Sequence, residues 1–164
     1  MKSQWFTNRA RYDFGKLLQE SDYARRHDES FHSFLVMASC SLQQATFAMA
    51  GQCSVAVERE YMTEVKRVKH PNKLAEAFNV LVGSLTEKPE DFLGKYVSEL
   101  GMNDKNFRGQ CFTPTDVCEA MARMVMCDLS KDTDREWPLM LNEPACGCGA
   151  MVIATGRVLK DQGY

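Results

Sequence analysis

The spacing of apolar residues predicts helices in the first hundred residues of the chain. From Ser30 onward, apolar side chains recur at steps of three and four residues, which is the spacing of one face of a helix. A shorter helix is predicted over residues 13–20. Gly51 is expected to interrupt the long helix, and a second helix is expected after it. We interpret the stripe as the core of a helix bundle. The stripe consists of Phe31, Phe34, Leu35, Ala38, Leu42, Ala45 and Met49.

Residues that start and end helices divide this region further. Pro71 is expected to end the second helix, and Asn72 is expected to cap the next one. Pro89 suits the first position of another helix, for which Gly101 is the C-terminal glycine. Residues 1–101 are therefore predicted to form an all-α unit of four or five helices.

A different pattern follows this helical region. A polar connector over residues 102–112 leads to a helix start, in which Thr113 is the N-cap, Pro114 the first helical residue and Asp116 the third. A charged loop is predicted over residues 130–136. The buried face of the helix between them is predicted to consist of Val117, Ala120, Met121, Met124 and Val125.

Residues 143–149 form a predicted turn between a strand over residues 137–141 and a helix over residues 151–160. Gly147 can take a backbone conformation that other residues avoid, and Gly149 has no side chain to block a ligand. The amides of the first helical turn then face such a ligand. A strand, a glycine turn and a helix in this order are typical of nucleotide-cofactor sites. A single strand leaves its backbone edges unpaired, so this region needs more chain or a partner.

The composition is that of an ordinary globular protein. The 164 residues are 45% hydrophobic and 26% charged, and their number suits one domain, or a small domain and part of another. The net charge of −2 gives no overall attraction to nucleic acid. Lys66, Arg67 and Lys69 are nevertheless clustered and are candidates for DNA contact, with a solvated helix end as the alternative. No apolar run is long enough to span a bilayer.

The cysteines favour a cytoplasmic protein with reduced thiols. There are seven of them, an odd number, and no secretory segment precedes them. Cys146 and Cys148 suggest a metal or redox pair as an alternative interpretation of the turn. Two thiolates one residue apart, without a second Cys or His pair nearby, make a poor zinc site. A catalytic thiol would lack a basic partner, since all three histidines lie in the helical region. We therefore predict no metal site.

Three segments carry a resemblance to a known family. They are Gly109-Gln110-Cys111-Phe112-Thr113-Pro114, Glu143-Pro144-Ala145-Cys146-Gly147-Cys148-Gly149 and Asp91-Phe92-Leu93-Gly94-Lys95-Tyr96. They resemble the patterns G-x-[FY]-[FY]-T-P, D-P-[AT]-C-G-[ST]-G and D-x-L-G-x-x-Y of the N6-adenine DNA methyltransferases, specifically the modification subunits of type I restriction systems and their single-chain relatives. Three matches in the family's order are far more specific than any one alone. The resemblance covers residues 91–164 well.

The resemblance implies a mainly α chain with two domains. A helical bundle over residues 1–101 would be followed, over residues 102–164, by the first strand, loop and helix of a Rossmann-like methyltransferase domain. This incomplete α/β unit would bind S-adenosylmethionine, with Glu143 near its ammonium and Thr113 near its carboxylate. The family usually has Asp in place of Glu143, and commonly Ser or Thr in place of Cys148. The implied cofactor-binding residues are Phe112, Thr113, Pro114, Glu143, Pro144, Ala145, Cys146, Gly147 and Gly149.

The resemblance implies DNA adenine methylation, although the sequence lacks the motif with which the family binds the base. The family carries an Asn-Pro-Pro-Tyr-type tetrapeptide that holds the flipped base, and this sequence contains no Pro-Pro pair. We therefore expect the N-terminal portion of an enzyme that methylates adenine N6 in restriction-modification, inactive alone, with DNA and a specificity subunit as partners. No catalytic residue is assigned. Two alternatives stay open: a non-catalytic binding or assembly module derived from such a methylase, and an unrelated dinucleotide-binding fragment.

Overall fold

The computed structural model describes residues 8–101, 112–127 and 140–164. These residues contain seven helices and no strand. The mainly α class is thus confirmed for the described part of the chain. The helices are α1 (Arg9–Ser21), α2 (His27–Met49), α3 (Val55–Val65), α4 (Pro71–Glu87), α5 (Phe92–Glu99), α6 (Thr115–Met126) and α7 (Ala150–Asp161).

The strand predicted over residues 137–141 is not confirmed. Met140 and Leu141 lie in no strand, and residues 137–139 are outside the described residues. The predicted connector up to residue 111 and the charged loop over residues 130–136 are outside them as well.

The chain divides into two compact units, unit 1 up to Ser84 and unit 2 from Leu85. Unit 1 holds α1, α2, α3 and most of α4. Unit 2 holds the end of α4 together with α5, α6 and α7. This division falls within α4. It differs from the predicted domain boundary between residues 101 and 102, and that boundary remains a prediction.

Unit 1 is held together by aromatic and aliphatic residues of its helices. The Phe14 ring of α1 packs edge-on against the Phe34 ring of α2, with the ring centroids 4.9 Å apart. Aromatic quadrupoles favour this arrangement. α2 and α3 pack side by side as a hairpin. The buried apolar residues of the unit are Phe14, Leu18, Phe31, Phe34, Met37, Cys40, Val68, Leu74, Ala77 and Leu81.

Only part of the apolar stripe on α2 is buried. Phe31 and Phe34 belong to the core, whereas Leu42 is 59% exposed and Met49 is 90% exposed. The predicted bundle core is therefore confirmed for Phe31 and Phe34, and it is wrong for the exposed members of the stripe, which are Leu35, Leu42, Ala45 and Met49.

Two predicted helix starts are wrong by a few residues. α4 begins at Pro71 itself, so Asn72 lies inside the helix and is not its cap. Asp91 caps α5 by accepting a hydrogen bond from the Gly94 amide at 2.8 Å, so Pro89 precedes the helix. Proline favours the φ of a first helical residue, but its side chain cannot accept a hydrogen bond from the free amides at a helix start. The Asp91 carboxylate can accept one, and this favours Asp91 as the cap.

α6 also begins later than predicted. The Pro114 carbonyl accepts hydrogen bonds from the amides of Val117 and Cys118, at 3.0 and 3.1 Å. Pro114 is therefore the N-cap, and the prediction that Thr113 caps this helix is wrong. The reason is the ψ of 142° at Pro114, which is extended and not helical. The glycines that follow α2 and α5 behave as predicted, since Gly51 and Gly101 have φ values of 68° and 62°.

α6 and α7 pack against each other in parallel. Glu119 Oε2 lies 3.3 Å from Arg157 Nη1, and Arg123 Nη2 lies 3.0 Å from Asp161 Oδ2. Residue numbers thus rise together along both helices, and the two N-termini lie at the same end of the pair. The end of α6 and the start of α7 therefore lie at opposite ends of the pair. The 12 residues of α6 separate these ends by about 18 Å, at 1.5 Å per residue.

Small residues form the contact surface between α6 and α7. Cys118 and Ala122 of α6 pack with Ala154 and Val158 of α7. The predicted buried face of α6 is wrong, because the real one is displaced by one residue, which rotates it by about 100°. The residues predicted to be buried but found exposed are Val117, Ala120, Met121, Met124 and Val125.

Candidate cofactor site

Residues 143–149 form a tight turn that leads into α7. The Gly149 amide donates a hydrogen bond to the Cys146 carbonyl at 2.8 Å, which closes the turn. Gly147 and Gly149 have φ values of 53° and 86°, in the left-handed region that residues with a Cβ avoid. The prediction that both glycines shape this bend is confirmed.

The start of α7 is open and has no side-chain cap. A Cβ at Gly149, the N-cap residue, would meet no heavy atom within 4 Å. The first amides of a helix have no acceptor within that helix, so they can donate to an anionic group of a ligand. α6 starts in the same way, since Pro114 caps it without a side-chain hydrogen bond. Because the two helices are parallel, both uncapped starts lie at the same end of the pair.

The Glu143 carboxylate is fixed at the beginning of the turn. Its Oε1 accepts a hydrogen bond from the Ala145 amide at 2.9 Å, and its side chain is half-buried. The second carboxylate oxygen has no partner among the residues that the structure describes. One acceptor of this anion therefore remains for a donor group.

The start of α6 lies beside the turn. The Cys118 thiol donates a hydrogen bond to the Thr113 carbonyl oxygen, with Sγ and oxygen 3.7 Å apart. Burial raises the pKa of Cys118, and the carboxylates of Asp91 and Glu143 raise it further. Because α6 and α7 pack in parallel, the start of α6 and the glycine turn lie at the same end of the helix pair.

The predicted site residues differ in their exposure. Phe112, Glu143 and Gly149 are half-buried. The exposed ones are Thr113, Pro114, Pro144, Ala145, Cys146 and Gly147. Residues 109–111 of the first motif lie outside the described residues. That these nine residues bind a cofactor remains a prediction.

The two cysteines of the turn show no metal-binding arrangement. Burial raises the pKa of Cys148, and Asp91 and Cys146 raise it further. Within residues 8–101, 112–127 and 140–164, no group of three or more His, Cys, Asp and Glu side chains could hold a metal ion.

Two buried residues of unit 2 were not among the predicted site residues. Asp91 is only 5% exposed and Cys118 only 1%, and the charge of Asp91 acts on both Cys118 and Cys148. The spacing of Asp91 and Gly94 was a signal that could have revealed the capping carboxylate, since an acceptor three residues before a glycine amide is typical of an N-cap. Nothing in the sequence showed that this carboxylate lies near the turn.

The basic cluster belongs to unit 1. Lys66, Arg67 and Lys69 are all exposed. Arg67 Nη1 lies 3.2 Å from Glu64 Oε2, so this arginine already has a carboxylate partner within unit 1. None of the helices that the structure describes is long and apolar enough to cross a membrane.

Comparison with known proteins identifies the family. The family model for N-6 DNA methylase matches residues 85–164, which are the residues of unit 2. No curated protein and no solved structure matches the chain. The matched region contains the glycine turn, the uncapped helix starts and the Asp91 cap. Through residues 85–164, the chain belongs to the N-6 DNA methylase family.

Proposed function

We propose that the chain forms the cofactor-binding part of a DNA adenine N6-methyltransferase that uses S-adenosylmethionine. The observation that carries this proposal is the turn over residues 143–149, whose two left-handed glycines precede the uncapped start of α7. Membership of the N-6 DNA methylase family supports the reaction class, which is methyl transfer to N6 of adenine.

The residues of the turn suit the amino-acid end of S-adenosylmethionine. This end carries an ammonium and a carboxylate. Glu143 has a free oxygen that can accept a hydrogen bond from the ammonium. The amides at the start of α7 can donate to the carboxylate, and the open space beside Gly149 allows close approach to the backbone.

The parallel packing of α6 and α7 supports an α/β arrangement. Parallel helices that neighbour each other on one face of a sheet are joined by a strand that runs back between them. The chain between α6 and α7 connects opposite ends of this pair and includes the residues of the predicted strand. The proposal therefore keeps a strand within residues 137–141, as the first strand of a Rossmann-like domain.

The residues of this chain are proposed to bind and orient the cofactor. When bound, S-adenosylmethionine supplies an electrophilic methyl group on a positively charged sulfur. The Asn-Pro-Pro-Tyr-type motif that holds the target base in the family does not occur in the sequence. We therefore expect the chain alone to bind the cofactor without methylating DNA.

Isothermal titration calorimetry with S-adenosylmethionine and with NADH tests the proposal. We expect the purified chain to bind S-adenosylmethionine with a Kd on the order of micromolar, which corresponds to about −8 kcal/mol, and not to bind NADH. Glu143→Gln keeps the shape of the side chain but removes its charge, and should weaken binding by about tenfold or more. Binding of NADH alone would overturn the proposal and support the dinucleotide-binding alternative.

A transfer assay with a labelled methyl donor separates binding from catalysis. The chain should bind the donor and leave DNA unlabelled. Methyl incorporation by the purified chain would contradict the expectation that further residues are needed. Failure to bind the donor, combined with retained binding of DNA, would favour the non-catalytic module.

DNA is proposed as the partner of unit 1, with the exposed Lys66 and Lys69 as contacts. Replacing Lys66, Arg67 and Lys69 by Ala should reduce DNA affinity and flatten its dependence on salt concentration, because fewer phosphates are neutralised. Unchanged affinity and salt slope would remove these residues from the proposal.

A restriction-modification specificity subunit is proposed as a second partner, from the resemblance to type I modification subunits.

A reducing, cytoplasmic location is also proposed. It is supported by the free thiols of the described cysteines, which are Cys40, Cys53, Cys118, Cys127, Cys146 and Cys148.

A further inference from the structure

α2 carries a line of exposed apolar side chains at intervals of seven residues. Leu35, Leu42 and Met49 are all exposed, and they are the members of the apolar stripe that lie seven residues apart outside the core. Residues at this spacing lie almost in line along a helix, because two helical turns take about 7.2 residues. The three side chains therefore form one straight seam, about 21 Å long at 1.5 Å per residue.

The seam lies on the side of α2 that is opposite to α3. Gln44 follows Leu42 by two residues and is thus rotated from it by about 200° around the helix. Its Oε1 accepts a hydrogen bond from the amide of Ser54, the N-cap of α3, at 3.2 Å. Ser33, on the same side of α2 as Gln44, donates a hydrogen bond to the Glu64 carboxylate of α3. The contacts of the helix hairpin therefore leave the seam uncovered by α3.

The surface around the seam is uncharged. Residues 30–57 contain no Asp, Glu, Lys or Arg, and this range includes the whole seam. The polar side chains beside the seam have partners within α2. Gln43 Nε2 donates a hydrogen bond to Ser39 Oγ at 3.0 Å, and Thr46 Oγ1 donates one to the Leu42 carbonyl at 3.0 Å. Covering the seam would therefore bury apolar surface without burying a charge.

We propose that the seam is a homodimer interface, at which α2 of one copy packs against α2 of a second copy. Apolar residues at seven-residue intervals are the pattern by which helices pair in coiled coils. Charged side chains beside such a seam select a different partner and repel a wrong one, and this seam has none. An identical copy meets it without like-charge repulsion, and two-fold symmetry brings the same surface of both copies together. The second copy is therefore the partner that the neutral seam fits.

Leu42 is the centre of the seam. It lies seven residues from both Leu35 and Met49, so two-fold symmetry about the seam places the Leu42 side chains of the two copies opposite each other. Ala45, which is exposed beside Leu42, is small and allows the two helices to approach closely. The homodimer does not depend on the cofactor site, because α2 precedes residues 85–164, which match the methylase family.

Sedimentation equilibrium of the full chain tests the homodimer. We expect the wild type to dimerise with a Kd on the order of 10 µM. Leu42→Lys and Leu42→Glu should each weaken dimerisation by about tenfold or more, because two like charges then meet at the centre of the seam. Met62→Lys is the matched control, since it places the same charge at an exposed apolar position of α3. It should leave the Kd within about twofold.

Mixing the two charged variants tests whether residue 42 of one copy meets residue 42 of the other. An equimolar mixture of Leu42→Lys and Leu42→Glu should form heterodimers about tenfold more tightly than either variant dimerises alone, because opposite charges attract. A variant that is merely unfolded would not be rescued by mixing. Should a charged variant not fold, Leu42→Ala removes the same apolar contact and should weaken dimerisation by about threefold or more.

Each other outcome overturns the homodimer. A wild-type chain that stays monomeric would show that the seam is exposed or is covered by the chain itself. A dimer that is insensitive to the charge at residue 42, or weakened equally by Met62→Lys, would place the interface elsewhere. A mixture that associates no better than its components would show that the two Leu42 side chains do not meet. None of these outcomes bears on the binding of S-adenosylmethionine, which the calorimetry measures separately.

Discussion

At the scale of single residues, Ser33 connects different parts of unit 1. Its hydroxyl accepts a hydrogen bond from Arg25 Nη1 at 2.9 Å and donates one to the Glu64 carboxylate of α3. Ser33 and Glu64 are both buried. The hydroxyl therefore satisfies a carboxylate that would otherwise lie in the interior with only Arg67 as its partner.

Ser33→Ala should destabilise the chain by about 1–3 kcal/mol, because it leaves one oxygen of Glu64 buried without a donor. Urea unfolding measures the change. Ser39→Ala is the matched control, since Ser39 lies exposed on the same helix, and it should change the free energy of unfolding by less than about 0.5 kcal/mol. Equal effects of the two substitutions would contradict a role for the buried network.

Asp91→Asn should raise the Tm at pH 7. Burial raises the pKa of Asp91 above its ordinary value of 3.8, against the opposing effects of the Gly94 amide and Lys95. A carboxylate with a raised pKa in the folded state favours folding in its protonated form, so stability falls as the pH rises through that pKa. The gain from Asn should therefore be largest at neutral pH and shrink as the pH falls towards 3.8.

Thermal unfolding followed by circular dichroism at pH 7 and pH 4 checks this expectation. Asp116→Asn serves as the control, because Asp116 is exposed in the first turn of α6, where a negative charge is favourable. It should give no gain at pH 7. A gain from Asp91→Asn that does not depend on pH would contradict the explanation by ionisation.

At the scale of the elements, the glycine turn and α7 offer a matched pair of substitutions. Gly149 and Gly156 both have room for a Cβ, but only Gly149 has a positive φ. Gly149→Ala should destabilise by about 1–2 kcal/mol, because a Cβ disfavours the left-handed conformation. Gly156→Ala should stabilise by roughly 0.5–1 kcal/mol, because alanine suits a helix interior better than glycine. Urea unfolding measures the change in the free energy of unfolding for both variants. A change of the same sign in both would contradict the explanation by backbone conformation.

Periodicity predicted that the helices exist, but it did not predict which faces they bury. On α2, apolar spacing alone could not show which part of the stripe faces the core, and Met49 is 90% exposed. On α6, the spacing of Met121 and Met124 predicted the buried face, yet Cys118 and Ala122 are the residues that pack against α7. Which face of a helix packs is a tertiary property, so it does not follow from the spacing.

At the scale of the whole molecule, many large apolar side chains are exposed. Met124 is 68% exposed and Val125 75%, and both lie on the face of α6 that was predicted to be buried. Replacing both by Gln should change the free energy of unfolding by less than about 0.5 kcal/mol each and lower the fluorescence of a bound hydrophobic dye. Ala122→Gln on the packed face should destabilise by about 1–3 kcal/mol. Strong destabilisation by the first pair would show that this face is buried.

Those features of the candidate site that depend on single residues could be predicted from the sequence. The glycines of the turn were recognisable because each backbone conformation depends on its own residue. The effect of the Asp91 charge on the pKa of Cys118 and Cys148 was not recognisable, because Asp91 lies far earlier in the chain. Contacts of this kind follow from the fold and not from spacing.

The parallel packing of α6 and α7 has a consequence for the order of folding events. The α2–α3 hairpin can pair progressively from its connecting loop, beginning with the contact of Gln44 with Cys53, nine residues away. The hydrogen bonds that join α6 to the end of α7 link residues 36 to 38 positions apart, so forming them closes a long loop. Loop closure of this kind slows folding. In stopped-flow refolding, the α2–α3 hairpin should therefore form first, and the packing of α6 against α7 should form last.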